Sequence, residues 1–504
     1  MKMLFNKKII TAGLAGLLFA SCSKDFEEIN TNPNNAPTAL PQQLLAPALV
    51  NTMTYNLIRN RNFNNELMQV TVDQSDAEGR VFRYDYRPNF SDYLYNGLYS
   101  ELTNFKDIYK TANEPLGYNS SYRGISLICQ SWVYSILTDT YGDVPYSQSN
   151  LARDSAIFEP RFDRQKDIYL DMFQKLEQAN ALLDSNRAIS ASSDPVFNGN
   201  ISRWRKFGNS LYLRLLLRVS GKAEVSAQAV AKIKDIVETN AAKYPIMTNN
   251  DESAILRWTG SGPYTSPLNN GVREQDFRAP SIASFFIDNL VIWNDPRIDI
   301  AQGSSGINRW AIAPYLGSFV GVQSGYLPGS EPVKKAYFYS NTSARSLQTE
   351  AMTGMMMNYA EVQFILCEAA VKGWITGSAE NYYKAGVLNS IKLWVPAWAT
   401  PIDTYLIAGD ITWDPAGTTD QKMEQLHLQK YYALFLTDMQ QWFEYRRTGH
   451  PVLPIGPGVE NGGVMPARMV YPVYVQSTNP TNYQLAVAAQ GPDIISTQVW
   501  WQKP

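Results

Sequence analysis

Through much of the chain the apolar residues fall three and four positions apart, the spacing that gathers them on one face of an α-helix. Ile168, Tyr169, Met172, Phe173, Leu176, Ala179, Leu182 and Leu183 form one such stripe, with Asp163 placed as an N-cap acceptor before it. Trp204, Phe207, Leu211, Leu215 and Val219 form a second. A third passes through Tyr359, Val362, Leu366, Ala369 and Ala370 to a stop near Gly373, and a fourth runs from Ser378 through Tyr382, Leu388 and Ile391 to Trp394. The last two predict a helical hairpin. Similar pairs can be drawn from 93–114 with 121–140 and from 163–184 with 202–220. Helix pairs in series predict a mainly α fold, tetratricopeptide-like, in which each pair covers its apolar face with the next. Gly373 and Ala385 have the separation of that repeat, but its other consensus aromatics are out of register.

Periodicity fails over about 74–92, 247–345 and 449–472, where Gly, Pro, Asn and aromatic residues crowd together. Stretches this long usually carry function or small strands of their own. No Pro/Ser-rich linker divides the chain. Residues 41–504 are therefore expected to form a single domain. Its helical scaffold would lie mainly in 93–245 and 355–450, and its loop-rich half in about 247–345 and 449–504.

The N-terminus predicts a compartment. Lys2, Lys7 and Lys8 precede an apolar run from Ile9 to Phe19, too short to cross a bilayer and of the length of a signal-peptide core. Ala20 and Ser21 stand directly before Cys22, so residues 1–21 read as a lipoprotein signal peptide and Cys22 as the lipid-bearing anchor. Residues 22–40, opening Cys22-Ser23-Lys24-Asp25-Phe26-Glu27-Glu28, read as the tether, and resemble the surface-export signals of Bacteroidetes-type lipoproteins. The mature protein is expected on the outer membrane, facing the cell surface, held by acyl chains rather than by a span.

Composition narrows the chemistry. The 44 basic and 46 acidic residues nearly balance, which gives no footing for nucleic acid. Basic residues flanking the second stripe (Arg203, Arg205, Lys206, Arg214 and Arg218) are expected to pair with carboxylates or extend along apolar surface. The chain holds 30 Tyr, 20 Phe and 12 Trp but only 2 His and 3 Cys. A disulfide scaffold or a His/Cys metal centre is thereby excluded. His427 and His450 are far apart in sequence and outside any H-E-x-x-H pattern. There is no nucleophile elbow or Walker loop, and Gly456-Pro457-Gly458 fails as a dinucleotide loop because Asn461 takes the sixth place. Cys129 and Cys367 sit in apolar helical patterns as buried hydrophobes. Gln74, Asp76, Glu78, Gly79 and Asp85 fit a calcium loop only in part, so a structural calcium ion is unsupported. Paired carboxylates for glycoside hydrolysis leave no sequence motif and stay open.

What remains is a surplus of rings. Aromatic faces stack on the C–H faces of sugars while amides, Arg and Asp hydrogen-bond the hydroxyls. The candidate ligand residues are Arg83, Tyr84 and Tyr86 in the first loop and Trp258, Tyr264, Trp310 and Tyr315 in the long central stretch. No catalytic residue and no metal ligand is assigned.

A set of phrases in order along the chain resembles the SusD/RagB family of nutrient-binding outer-membrane lipoproteins, in its SusD-like branch. They include Asn30-Thr31-Asn32-Pro33, Leu137-Thr138-Asp139-Thr140-Tyr141-Gly142-Asp143-Val144-Pro145-Tyr146 and Pro160-Arg161-Phe162-Asp163. Trp204-Arg205-Lys206-Phe207, Asn294-Asp295-Pro296-Arg297 and Tyr359-Ala360-Glu361-Val362 follow. The C-terminal block holds Trp442-Phe443-Glu444-Tyr445-Arg446-Arg447-Thr448-Gly449 and Pro466-Ala467-Arg468. The resemblance implies about four tetratricopeptide-like pairs packed against an irregular ligand face. It also implies a lid over a SusC-like TonB-dependent transporter that binds an oligosaccharide, or a peptide, without enzymatic turnover. A surface glycoside hydrolase is the remaining alternative. These motifs are scaffold: Gly142 and Pro145 are expected to shape a turn, and Arg446 and Arg447 to tie the last helix to its neighbours. The ligand residues are not carried over from the resemblance.

Overall fold

Each predicted stripe becomes a helix because its apolar face has another to cover it. The computed structural model describes residues 39–503, save 116, 186 and 299–307. The leader, Cys22 and the tether up to residue 38 lie outside the described residues. The principal helices are α1 (Pro41–Arg59), α2 (Phe90–Thr111), α3 (Ser120–Tyr141), α4 (Gln165–Asp184), α5 (Ile201–Val219) and α6 (Ala223–Lys234). They continue with α7 (Ser284–Ile292), α8 (Tyr359–Val371), α9 (Ala379–Trp394), α10 (Thr419–Ala433), α11 (Gln440–Thr448) and α12 (Pro480–Gln490). No helix among the described residues is long and apolar enough to cross a membrane.

Four pairs make the scaffold: α2 with α3, α4 with α5 and α8 with α9 pack along their lengths, while α10 and α11 meet through side chains such as the 2.6 Å Lys430–Glu444 bridge. The first three match the predicted hairpins. The fourth has little amphipathic contrast, since α10 buries polar His427, Gln429 and Lys430 as well as apolar residues. Packing runs from pair to pair, α3 against α4, α5 against α8, and both α8 and α9 against α10. Close approach needs small residues at the contacts: a Cβ on Gly386 of α9 would come within 2.7 Å of the Phe364 ring of α8. Residues 41–504 form one contact unit.

The helix starts follow side-chain chemistry. Asn119 accepts from the amides of Ser121 and Tyr122, Asn358 from that of Glu361 and Ser378 from that of Asn381, each satisfying N–H groups that the helix leaves unpaired. Asp163 does not cap α4, contrary to expectation; Arg164 holds the N-cap position without a side-chain bond. Asp163 instead belongs to a short strand, β3 (Phe162–Asp163), paired antiparallel with β2 (Val144–Pro145). Its carboxylate accepts from the amides of Tyr146 and Ser147 across that pair. Gly142 ends α3 at φ +88°, a conformation that suits glycine, so the turn into Pro145 forms where the sequence placed it.

The loop-rich half is irregular but tied. Thr71–Val72 (β1) pairs with Ser281–Ile282 (β5), Ala254–Leu256 (β4) with Gly354–Met357 (β8), and Ile312–Ala313 (β6) with Tyr337–Phe338 (β7), all antiparallel. These ladders fold the long central stretch back onto the scaffold. Four of the five basic residues named on α5, namely Arg205, Lys206, Arg214 and Arg218, pair with carboxylates as expected. Arg214 forks onto Glu361 of α8 with two bonds of 2.6 Å, and Arg218 reaches Glu444 of α11 at 3.0 Å, all four side chains buried. Arg446 and Arg447 bind Asp139 of α3 and Glu368 of α8, so they do tie α11 to its neighbours. That helix is not the last, because α12 follows it.

Candidate ligand-binding face

Three loops distant in sequence meet above β1 and β5. The first is 73–89, and Arg83 is the residue that binds it to the others. Its Nε donates to the Tyr326 carbonyl at 3.1 Å and its Nη2 sits 3.2 Å from Asp76 Oδ1. The guanidinium lies 4.7 Å from the Tyr326 ring and 5.0 Å from that of Phe82, and these two rings stack at 5.3 Å. Ser75 donates its amide to the Tyr326 hydroxyl at 2.8 Å, while the Glu460 amide donates to the Arg83 carbonyl at 2.7 Å. Arg83 is thus buried as the fastening of the loop face and offers no open surface to a ligand.

The incomplete calcium loop is fastened in the same way. Asp76 accepts from Arg83 and from the Gly329 amide, and Asp85 from the Gly79 amide at 2.7 Å. These side chains are used within the protein and do not converge. Among the described residues one trio could offer metal ligands, Glu368, His427 and Glu444. Arg447 and Lys430 already lie within 2.6 to 2.8 Å of those carboxylates, so a divalent cation would meet two fixed positive charges there. The donor set suits an internal ion network, not a metal. His427 and His450, far apart in sequence, stack with centroids 6.3 Å apart at its edge.

Under the first loop is a cleft of about 370 Å³. Arg61 and Glu66 supply its floor, from the segment that prolongs α1; Asp73, Arg80 and Phe82 form one side and Asp276 the other. Arg80 and Asp73 pair at 2.8 Å and remain partly exposed. Arg61 is held by the Asp276 carbonyl. Glu66 accepts from Thr71 Oγ1 at 2.6 Å and from the Asp73 amide at 2.9 Å. Burial pushes its carboxyl up to about 8 against those two bonds, so near neutral pH it holds a proton. The half-buried Phe90 ring with Arg and Asp at the rim can hold a polar, hydroxyl-rich ligand, and nothing here is arranged as a nucleophile with a base.

The other candidate residues scatter. Tyr84, at φ +61°, and Tyr86 turn inward; the Tyr86 hydroxyl donates to the Arg468 carbonyl and its ring meets Phe63 edge-on at 4.9 Å. Trp310 is fully buried, stacked on Phe286 at 5.6 Å under the Arg297 guanidinium. Trp258 is buried as well. Five of the seven choices are therefore closed to solvent, contrary to expectation, because a large ring gains more from packing under its own loop than from water. Tyr264 and Tyr315 are half-buried in separate turns, where Tyr264 donates its amide to the Ser261 carbonyl and Tyr315 its amide to the Ser318 carbonyl. Sequence reasoning passed over Arg61, Asp73, Arg80 and Asp276, whose only signal was that charges lay near a loop.

A SusD-like family model, described as "Starch-binding associating with outer membrane", matches residues 33–472. The chain belongs to the SusD-like family. A search of curated proteins returned no match. Among solved structures, a SusD homolog from Bacteroides fragilis is 25% identical with a TM-score of 0.73, covering 92% of this chain and 100% of its own. A SusD homolog from Bacteroides uniformis is 24% identical with a TM-score of 0.74, over 92% and 99%. A structure described as a chitin-binding SusD homolog from Flavobacterium johnsoniae is 21% identical with a TM-score of 0.76, over 92% and 98%. The expected SusD-like architecture, mainly helical with tetratricopeptide-like pairs, is what the chain adopts. The SusD-like family is one of nutrient and glycan binders associated with the outer membrane.

Proposed function

We propose that the protein captures an oligosaccharide at the cell surface and delivers it to a SusC-like TonB-dependent transporter, without breaking bonds in it. The observation that carries this reading is the cleft under the first loop. Its polar rim of Arg80, Asp73 and Asp276 stands beside the half-buried Phe90 ring, and the loop is already fastened by Arg83 and Tyr326, so little ordering is left to oppose binding. Family membership supports the ligand class, and the chitin-binding relative offers a first glycan to try. Cys22 would carry the lipid, and confinement of lid and transporter to one membrane raises their effective concentration, so modest affinity suffices.

The test is calorimetric titration of the full mature chain with chito- and malto-oligosaccharides beside a panel of peptides, with reducing ends assayed in parallel. Saturable binding of a neutral oligosaccharide with no release of reducing ends is the expected result. Binding of peptides alone would make it a peptide lid, and steady release of reducing ends would make it a hydrolase. Co-purification of a TonB-dependent barrel with the native lipoprotein checks the delivery step.

A further inference from the structure

Rings left in water are scarce in this protein. Among the described residues three aromatic side chains are exposed: Tyr118, Phe158 and Tyr474. Two of the three, Phe158 at 74% and Tyr474 at 40%, line one cleft of about 370 Å³ that shares no lining residue with the cleft under the first loop. Scattered exposed rings need no explanation, but two in one concavity form a surface. Tyr95, Tyr99 and Phe162 make its inner wall.

The walls come from three parts of the chain and are fixed to one another. The Tyr474 hydroxyl donates to Asn96 Oδ1 on α2, leaving the Asn96 amide nitrogen at the rim with no partner among the described residues. Tyr99 donates its hydroxyl to the Pro145 carbonyl at 2.6 Å, and Pro145 pairs with Phe162. Asn479 Nδ2 donates to the Pro160 carbonyl at 2.7 Å and Asn482 Nδ2 to that of Glu159 at 3.1 Å, which holds the segment bearing Phe158. No Asp, Glu, Lys or Arg lines this cleft, and its exposed polar groups are the amide and hydroxyls of Asn96, Ser100 and Thr478. Ring faces with an uncharged hydrogen-bonding rim select a ligand with apolar C–H faces, many hydroxyls and no charge.

We propose that this cleft is a second saccharide-binding site, in which Phe158 and Tyr474 stack on pyranose units of an uncharged glycan while Asn96 and Thr478 bind their hydroxyls. It rests on the glycan reading for its ligand class but not on the first cleft. Two separate sites would let the protein hold one polysaccharide at two points and gain in avidity what each site lacks in affinity.

The test uses the full mature chain, the Phe158→Ala/Tyr474→Ala variant and, for the first cleft, Asp73→Ala/Arg80→Ala. Each is titrated calorimetrically with chitohexaose and maltohexaose, with unfolding melts to show that exposed substitutions leave the fold intact. Expected is a second binding event, weakened at least tenfold in Phe158→Ala/Tyr474→Ala and kept in Asp73→Ala/Arg80→Ala. Unaltered titration of the Phe158→Ala/Tyr474→Ala chain, with binding lost only in Asp73→Ala/Arg80→Ala, overturns the second site and leaves the first reading standing. No binding of either sugar by the unaltered chain overturns the second site, and the glycan reading goes with it. If Phe158→Ala/Tyr474→Ala keeps its sugar binding but no longer co-purifies with an outer-membrane barrel, the cleft is a protein interface and the proposal falls.

Discussion

Arg447 grips Glu368 through both carboxylate oxygens, Nη1 to Oε1 at 2.7 Å and Nη2 to Oε2 at 2.6 Å, with both side chains buried between α11 and α8. Burial alone would raise the Glu368 carboxyl, but the guanidinium outweighs it and holds the group well below its ordinary value. Removing one partner strands a buried charge. Arg447→Met should therefore cost about 3–5 kcal/mol, read from the urea midpoint. The sign with pH follows from a depressed carboxylate: the stabilisation is present above the unfolded value of 4.5 and is lost as pH falls below it. The unaltered protein should weaken on acidification below that value, and Arg447→Met should flatten the slope.

Glu66 gives the opposite slope. Its folded value of about 8 lies above the unfolded 4.5, so its contribution is complete below pH 4.5 and is lost as pH rises through 8. Glu66→Gln keeps an acceptor for the Asp73 amide and sets an NH2 against Thr71 Oγ1, which then accepts instead of donating, without a charge to form. Its melting temperature should match that of the unaltered protein at pH 5 and exceed it at pH 9; equal melts at pH 9 would refute the shift.

Trp310 separates packing from binding. A fully buried indole stacked on Phe286 should cost about 3–5 kcal/mol on Trp310→Ala, as large core truncations do. Chemical denaturation should show the loss, while sugar affinity, measured cold where the variant is folded, should change less than twofold.

At the first cleft the reverse pattern is expected. Arg80 and Asp73 are partly exposed, and such pairs add little to stability, so Asp73→Ala and Arg80→Ala should each shift it by less than about 1 kcal/mol. Losing a charged hydrogen bond to ligand should weaken oligosaccharide binding about tenfold, measured by titration.

Cys22→Ser tests the anchor. The variant should leave the membrane fraction on cell fractionation and fail to incorporate labelled fatty acid, while its folded chain binds the same sugar as before.

Helical periodicity is a local property, and Trp204, Phe207, Leu211, Leu215 and Val219 announced α5 because one face of one segment had to be covered. The fourth pair was not legible: α10 buries Lys430 and His427, which only ion partners on other helices make tolerable. Asp163 misled for a similar reason, since the β2–β3 pairing claimed its carboxylate before the helix could.

The sequence by itself determined the helical scaffold, the cationic pairing of α5 and the family, because stripes, caps and ordered motifs are written along the chain. It also supplied a surplus of rings. Which rings face water was decided by the tertiary structure alone: Trp310 and Tyr86 went inward, whereas Phe158 and Tyr474 stayed out beside each other. Exposure depends on what arrives from elsewhere in the chain, here a bond from Tyr474 to Asn96 across 378 residues, and spacing carries no record of that arrival.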